Sequence, residues 1–495
     1  MSVLSKITSF ITPQSSNHKD LYEQFNSNTE VERARHFQKQ FDYYIGDTEQ
    51  IKKHLVKALI RTFSQDDINE FQLPLILIVK RVIDKISMAY LFPADRYLQV
   101  DKEEIEKDGK TVTQKNEGQV KQAELYSEVI GNSNINQKVK LCYRFAKLSD
   151  VCHIQVVWRN ERIEYDVIPS HLITVLESKD DFTRPIATLV QIIKADDNGD
   201  DQVNYLYWDE NESVLMDGKG RTIKVEPNPY KILTTLPMRI RETENYFGEG
   251  DSSLIDINEK INVALVNAFD NMVMQSHGQA FGINLGIAAG TLKTGPRHII
   301  EVNNVKVDDQ SPAFTFVQPD PSTKEAMEFI DWLIKEVCVQ RGLPPFSVST
   351  EGKAESGAAK VMDNLELMEI RQDDIEALKE FEHKLYEITR AVWNFHNPGK
   401  KLDEKMRFAV EFEEQSNEPP ELEQLQAKKL KLAMGTWTPV EEFVDPDNGV
   451  DEEAALNIVK KNLAIRNELN DEFGIMQALD KALQTDENFN KGMIQ

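Results

Sequence analysis

Between Leu343 and Glu355 the chain carries one cation, Lys353, among Ser347, Ser349, Thr350, Glu351 and Glu355. An ammonium so flanked can touch a phosphate while the neighbouring carboxylates keep the contact weak, because so few charges are neutralised and salt screens them. A second polar set, Asn258, Asn262, Asn267 and Lys335, interrupts two apolar helical patterns. A helix that buries one stripe must offer its other face to water or to a partner, and these positions are the candidates for that face. Other chemistry is poorly supplied. Gly352-Lys353 lacks the upstream glycine and the following hydroxyl of a phosphate-binding loop, which argues against an ATPase motor. Asp445-Pro-Asp-Asn-Gly449 places its glycine at position five of a would-be calcium loop instead of six, and reads as an ordinary turn. The 9 histidines are scattered without metal-ligand spacing, and Cys142, Cys152 and Cys338 read as reduced core thiols. Asp373-Asp374 and Glu452-Glu453 read as solvated helix faces. No catalytic residue, metal site or cofactor is expected, and hence no enzyme.

The elements that must hold these residues are legible in the spacing. Phe329, Leu333 and Val337, with Ile330, Ile334 and Cys338 beside them, form the stripe of a helix packed on one side. Gly342-Leu-Pro-Pro345 ends it, since two prolines remove two donors and push Leu343 out of helical backbone. Residues 346–355 have no periodicity and read as a loop, after which Ser356 can cap a new helix. From Val361 the apolar positions Leu365, Met368, Ile375, Leu378, Leu385, Ile388, Val392 and Phe395 recur at helical spacing until Asn397-Pro-Gly399. About 38 residues at 1.5 Å each predict a rod of about 57 Å.

Upstream, residues 20–92 read as helices, with Phe37, Phe41 and Tyr44 on one, and Leu75, Val79, Val82, Ile83 and Ile86 on another that ends at Tyr90-Leu-Phe-Pro93. Residues 97–240 read mostly as strands. Val151 to Trp158 alternates and is β-branched, and Asn198-Gly199 and Asp217-Gly218 are hairpin turns. Phe247-Gly-Glu-Gly-Asp-Ser-Ser253 leads into a helix carrying Leu254, Ile257, Ile261, Leu265, Phe269 and Met272, with Asp251 or Ser252 to cap it. Short β-like runs, from Gln279 to Ile287, from His298 to Val307 and from Phe314 to Val317, then separate that helix from the Phe329 helix. A small β module between two helices resembles a tip on a paired stem. Beyond Glu411 the chain reads as helical and strongly acidic.

Taken in order, Gly248-x-Gly250-x-Ser252-x-Leu254, the β insertion, Phe329-Ile-Asp331, the Gly342-x-Pro344 break and Ser356-Gly-Ala-Ala-Lys360 at the head of a long helix resemble the portal proteins of tailed phages and similar gene-transfer particles, over roughly residues 30–480. The resemblance implies an α+β, mostly helical fold. It implies an α/β wing over 1–250, a two-helix stem over 251–278 and 323–342, and a small β clip over 279–322. A tunnel loop over 343–356, a long spoke helix over 357–400 and a helical crown over 401–495 complete the set. It also implies a ring of twelve subunits at one capsid vertex, a conduit for packaging and ejecting double-stranded DNA, touched transiently and without sequence preference. The implied partners are a terminase motor, a head-tail adaptor and the major capsid or scaffold protein. The place is the virion, after assembly in host cytoplasm.

Charge bears on this in one direction. A formal net charge of -25 argues against a surface that grips nucleic acid by counterion release. A negative wall suits DNA that must pass without sticking, although from charge alone solubility is the better explanation. The N-terminal Met1-Ser-Val-Leu-Ser-Lys has no apolar signal core, and the run from Leu73 to Val79 is far short of a membrane span, so no membrane is expected. Two other readings compete. A packaging nuclease or ATPase subunit needs a site the chain lacks, and a capsid-associated structural or scaffold protein without a DNA channel leaves the β tip unexplained.

Overall fold

In the computed structural model the described residues are 17–61, 63–107, 110–195, 201–275, 279–283, 299–302, 313–317, 323–345, 347–348, 365–413, 428–432, 438–443 and 452–473. Two compact units divide the chain: the first takes 1–354 and 362–414, the second 355–361 and 415–495.

The first unit opens with helices whose ends are set by local chemistry. After α1 (Asn17–Phe25), Ser27 accepts the Glu30 amide to start α2 (Asn28–Ile45), and Gly46, at φ 77°, closes it. Asp47 then caps α3 (Thr48–Leu59) by accepting from Glu49 and Gln50. A short α4 (Gln65–Glu70) follows. The periodicity predicts helix through Leu75 to Pro93, but α5 spans only Val79–Ile86 and residues 71–78 before it form no regular element. The polar side chains that bond this stretch are described below.

The sheet region matches the strand expectation and adds detail. β1 (Asp95–Leu98) and the ribbon β2 (Lys102–Lys107) and β3 (Lys110–Lys115) lead to α6 (Glu117–Gly131) and α7 (Ile135–Ser149). β4 (Val151–Arg159) lies between β5 (Arg162–Ile168) and β11 (Thr235–Arg239) in one antiparallel sheet. A second antiparallel sheet runs β6 (Ile173–Glu177), β7 (Pro185–Ala195), β8 (Asp201–Asp209), β9 (Glu212–Asp217) and β10 (Thr222–Pro227) in sequence order. The Asn198-Gly199 turn lies outside the described residues. Asp217-Gly218 is not a two-residue turn: residues 218–221 connect the strands, the Asp217 carboxylate accepts from the Lys219 and Arg221 amides, and Gly220 takes the positive φ of 74°.

β4 alternates in sequence, yet six of its residues in succession are buried, so both faces of that sheet are covered. One face meets α7 and the long α10 (Leu365–His396); on the other, His153 stacks on Tyr246 at 5.7 Å. The main core joins Tyr143 of α7, Ile154 of β4, and Leu378, Leu385 and Val392 of α10. β15 (Phe408–Glu411) pairs with β1, and the residues just past the long helix belong to the first unit. Asp374 corrects an expectation. It is buried, not solvated, and accepts from Lys147 Nζ at 2.8 Å and from the Tyr143 hydroxyl. Burial lowers the Lys147 ammonium from its ordinary value, against the opposite pull of Asp374.

Two buried histidines make the unit acid-sensitive. Burial holds His153 at a pKa of about 3, helped by Arg239 and Arg33, and holds His171 at about 4, with Asp42 opposing. Both are neutral when folded, whereas the unfolded chain protonates them below about pH 6.5. Stability is therefore complete above that pH and falls as pH drops toward 4, with a slope approaching about 2.7 kcal/mol per pH unit while both contribute. Urea midpoints measured from pH 7 to 5 are expected to show this fall, and His153→Gln to remove about half of it.

In the second unit the described residues form a short helical stretch at 428–432, a 3-10 turn at Glu441–Phe443 and α11 (Glu452–Phe473). At the turn Thr438 donates from both its amide and its hydroxyl to the Glu441 carboxylate. On α11 Ala455 is buried, while Leu456, Ile458, Leu463 and Ile465 are exposed. Glu453 is exposed as expected, and Asp445 to Gly449 lie outside the described residues.

Candidate functional site

α8 (Ser252–Gln275) and α9 (Thr323–Val339) pack together as a helix pair. Between them lies one sheet of three short strands, with β12 (Gln279–Ile283) flanked by β13 (Ile299–Val302) in parallel and β14 (Ala313–Val317) antiparallel. These are the three β-like runs that the sequence places there.

The base of the pair is built from the glycine-led segment. Gly250 has φ 65°, and its amide donates to Asp150 Oδ2 at 2.8 Å; Asp251 N–H donates to the Leu148 carbonyl at 2.8 Å. A Cβ at Gly248 would stand 2.3 Å from Asp150 Oδ2. The glycines thus let the backbone approach the corner between α7 and β4, a joint and not a ligand cradle. Asp251 accepts the Leu254 amide at 3.2 Å, the cap expected there, and also takes Arg341 in a two-pronged pair at 2.9 and 2.6 Å. Arg341 follows α9, so this pair ties the start of one helix to the end of the other. Gly342, at φ 66°, ends α9, with Leu343 N–H on the Cys338 carbonyl at 2.9 Å, and its Cα faces Glu366 and Ile370 of α10.

Asn258 and Asn262 do not face water. Both have no exposed surface. Asn262 Oδ1 accepts from Ile76 N at 2.8 Å, and Asn258 Oδ1 from Ile78 N at 3.2 Å while its Nδ2 donates to the Ile76 carbonyl at 2.7 Å. These two side chains supply the hydrogen bonds that the Ile76 and Ile78 backbone would otherwise seek within a helix, in keeping with the start of α5 only at Val79. A count of polar residues on an apolar stripe cannot tell an outward asparagine from one that serves a buried backbone. Asn267 is half-buried, and Lys335, partly exposed, pairs with Asp331 one turn back. The predicted stripe on α9 holds except at its first member, with Leu333 and Ile334 packed partly buried against the core. Ile330, Val337 and Cys338 are buried, whereas Phe329 is exposed and stacks beside the exposed Trp332 with ring centres 5.8 Å apart.

Of the loop residues, Ser347 is described: it is half-buried, and its amide donates to the Pro344 carbonyl at 2.8 Å, making a tight turn. Val348 is buried. Ser349, Thr350, Glu351, Lys353 and Glu355 lie outside the described residues, as does the start of the long helix before Leu365. At this base opens a cleft of about 290 Å³ whose lining includes Lys147, Arg241, Arg341, Glu366, Asp373 and Asp374. Its charges are mixed: Lys147 pairs with Asp374 at 2.7 Å inside the lining, and Arg341 with Asp251 at 2.6 Å outside it. Among the described residues no group of three or more His, Cys, Asp or Glu could hold a metal ion, and no helix is long and apolar enough to cross a membrane.

No protein-family model and no curated protein matches the chain. Among solved structures, a chain from the virion of a native gene transfer agent particle is similar at 12% identity and a TM-score of 0.41, over 74% of this chain and 88% of that one. A chain from the neck of an empty gene transfer agent particle, computed with C6 symmetry, is similar at 11% identity and a TM-score of 0.42, over 74% of this chain and 89% of that one. Likeness at this level transfers no function.

Proposed function

We propose that the chain is a portal subunit: a ring of such subunits at one vertex of a tailed-phage capsid, through which double-stranded DNA is packaged and ejected, without catalytic turnover. The observation that carries the reading is the helix pair α8–α9, with a small three-stranded sheet in the stretch of chain that joins them and the long α10 as the next described helix. A sheet of three short strands has two open edges and little core of its own, and pairing between subunits or docking of a head-tail adaptor satisfies such edges. In sequence Lys353 falls between the end of α9 at Val339 and the described start of α10 at Leu365, and a ring would repeat it once per subunit. Weak lysine contacts suit sliding phosphates; tight ones would stall a terminase motor. In this reading the DNA-facing role falls to the loop and to Asn267 and Lys335, not to Asn258 and Asn262.

Particles assembled with Lys353→Ala or Lys353→Glu subunits test it. The expected result is intact rings with less DNA packaged, more severely for the glutamate. Unchanged DNA length and packaging rate in both variants would remove the loop's role. A capsid-associated scaffold protein without a channel would give particles indifferent to either substitution.

A further inference from the structure

We propose that Arg81 is a positioning residue for the base of the loop, and that α5 links that base to the buried asparagines of α8. The chain of contacts is continuous. Asn258 and Asn262 hold the backbone at Ile76 and Ile78, and α5 begins one residue later. Val79, Val82 and Ile83 of α5 have no exposed surface, so the helix is seated firmly in the main core. Arg81, in its first turn, reaches out of the helix and donates from Nη1 to the Val348 carbonyl at 2.9 Å. Burial raises the pKa of the Cys338 thiol while the Val348 backbone pulls it down, and Cys338 has no exposed surface. Arg81 is thus the outer clasp over a buried thiol at the end of α9. A guanidinium on a carbonyl fixes the loop's point of departure from two directions, since the turn at Pro344–Ser347 fixes it from the other side. A shift of the 76–78 backbone relative to α8 would move the N-terminal end of α5, and with it the clasp.

The link rests on the portal reading only for its consequence, the setting of the tunnel loop; its existence is tested without it. Cys338 reports on the clasp, and Cys142 and Cys152, both fully buried elsewhere in the unit, are internal controls. The full-length native chain is treated with a maleimide, and labelling at each cysteine is followed by peptide mass. Arg81→Ala is expected to raise the Cys338 rate about fivefold, as loss of one hydrogen bond of about 1 kcal/mol implies, with Cys142 and Cys152 unmoved. Arg81→Lys should restore most of the protection. Asn258→Ala should also raise Cys338 labelling although it touches neither Cys338 nor Val348, and Asn262→Ala serves where Asn258→Ala does not fold. Cys338 labelling unchanged in Arg81→Ala, or rising only in parallel with the other two cysteines, would overturn the positioning role. Protection unchanged in the asparagine variants would overturn the link. Neither result depends on whether the chain forms rings.

Discussion

Glu382→Ala is expected to cost about 3–5 kcal/mol, the scale of a buried ion pair that loses one partner. Glu382 lies midway along α10, and its side chain is 1% exposed against 2% for Arg96. Its carboxylate accepts from Arg96 Nε at 2.7 Å and Nη2 at 2.6 Å and from the Tyr90 hydroxyl at 2.6 Å, while Arg96 Nη1 donates to Asn136 at 2.6 Å. Removing the carboxylate leaves a buried guanidinium that cannot shed its proton, because the ordinary pKa of arginine lies far above neutrality. Urea midpoints would show the loss as a large fall. The double variant Arg96→Met with Glu382→Leu should recover most of it, because the desolvation penalty goes with the charges. A single variant as stable as the parent would mean that water or a rearranged side chain reaches Arg96.

Gly250→Ala should be the most damaging change at the base of the helix pair, about 3 kcal/mol. The residue sits in the left-handed region, where an alanine is strained, and the added Cβ would stand 2.4 Å from Gln40 Oε1 and 2.7 Å from the Leu148 carbonyl. Gln40 is itself buried and donates to the Glu249 carbonyl at 2.7 Å, so it cannot simply swing away. Adding Gln40→Ala should relieve part of the loss and no more, since the backbone clash and the strained φ persist. A thermal midpoint within a degree or two of the parent for Gly250→Ala would show that the joint between α8 and the α7–β4 corner is looser than its hydrogen bonds indicate.

What the sequence reveals and what it hides follows from the range of the interactions. The helix α8, its Asp251 cap and the Gly342 break are local chemistry, decided within a turn or two, and the spacing states them outright. The three strands between the helices are likewise where β-branched runs put them. Asp374 and Glu382 are hidden because an acid in a helix reads as solvated unless its partner is known, and their partners, Lys147 and Arg96, lie more than two hundred residues away. Asn258 and Asn262 fail for the same reason: the backbone they serve is 180 and 186 residues distant, and nothing near them announces it. The short α5 is the mirror of that fact. Its apolar residues keep helical spacing back to Leu75, but side chains from α8 bond the Ile76 and Ile78 backbone and the helix begins only at Val79. Phe329 and Trp332 mark a different limit: both are exposed on this chain, and an apolar stripe cannot say which of its members the core will cover.

Averaged electron micrographs of the purified full-length chain test the central claim most directly. The account predicts closed rings with an axial hole, twelve-fold by the family resemblance, in which the α8–α9 pair lines the passage. Monomers or rods, or rings in which that helix pair lies on the outer rim, would contradict it.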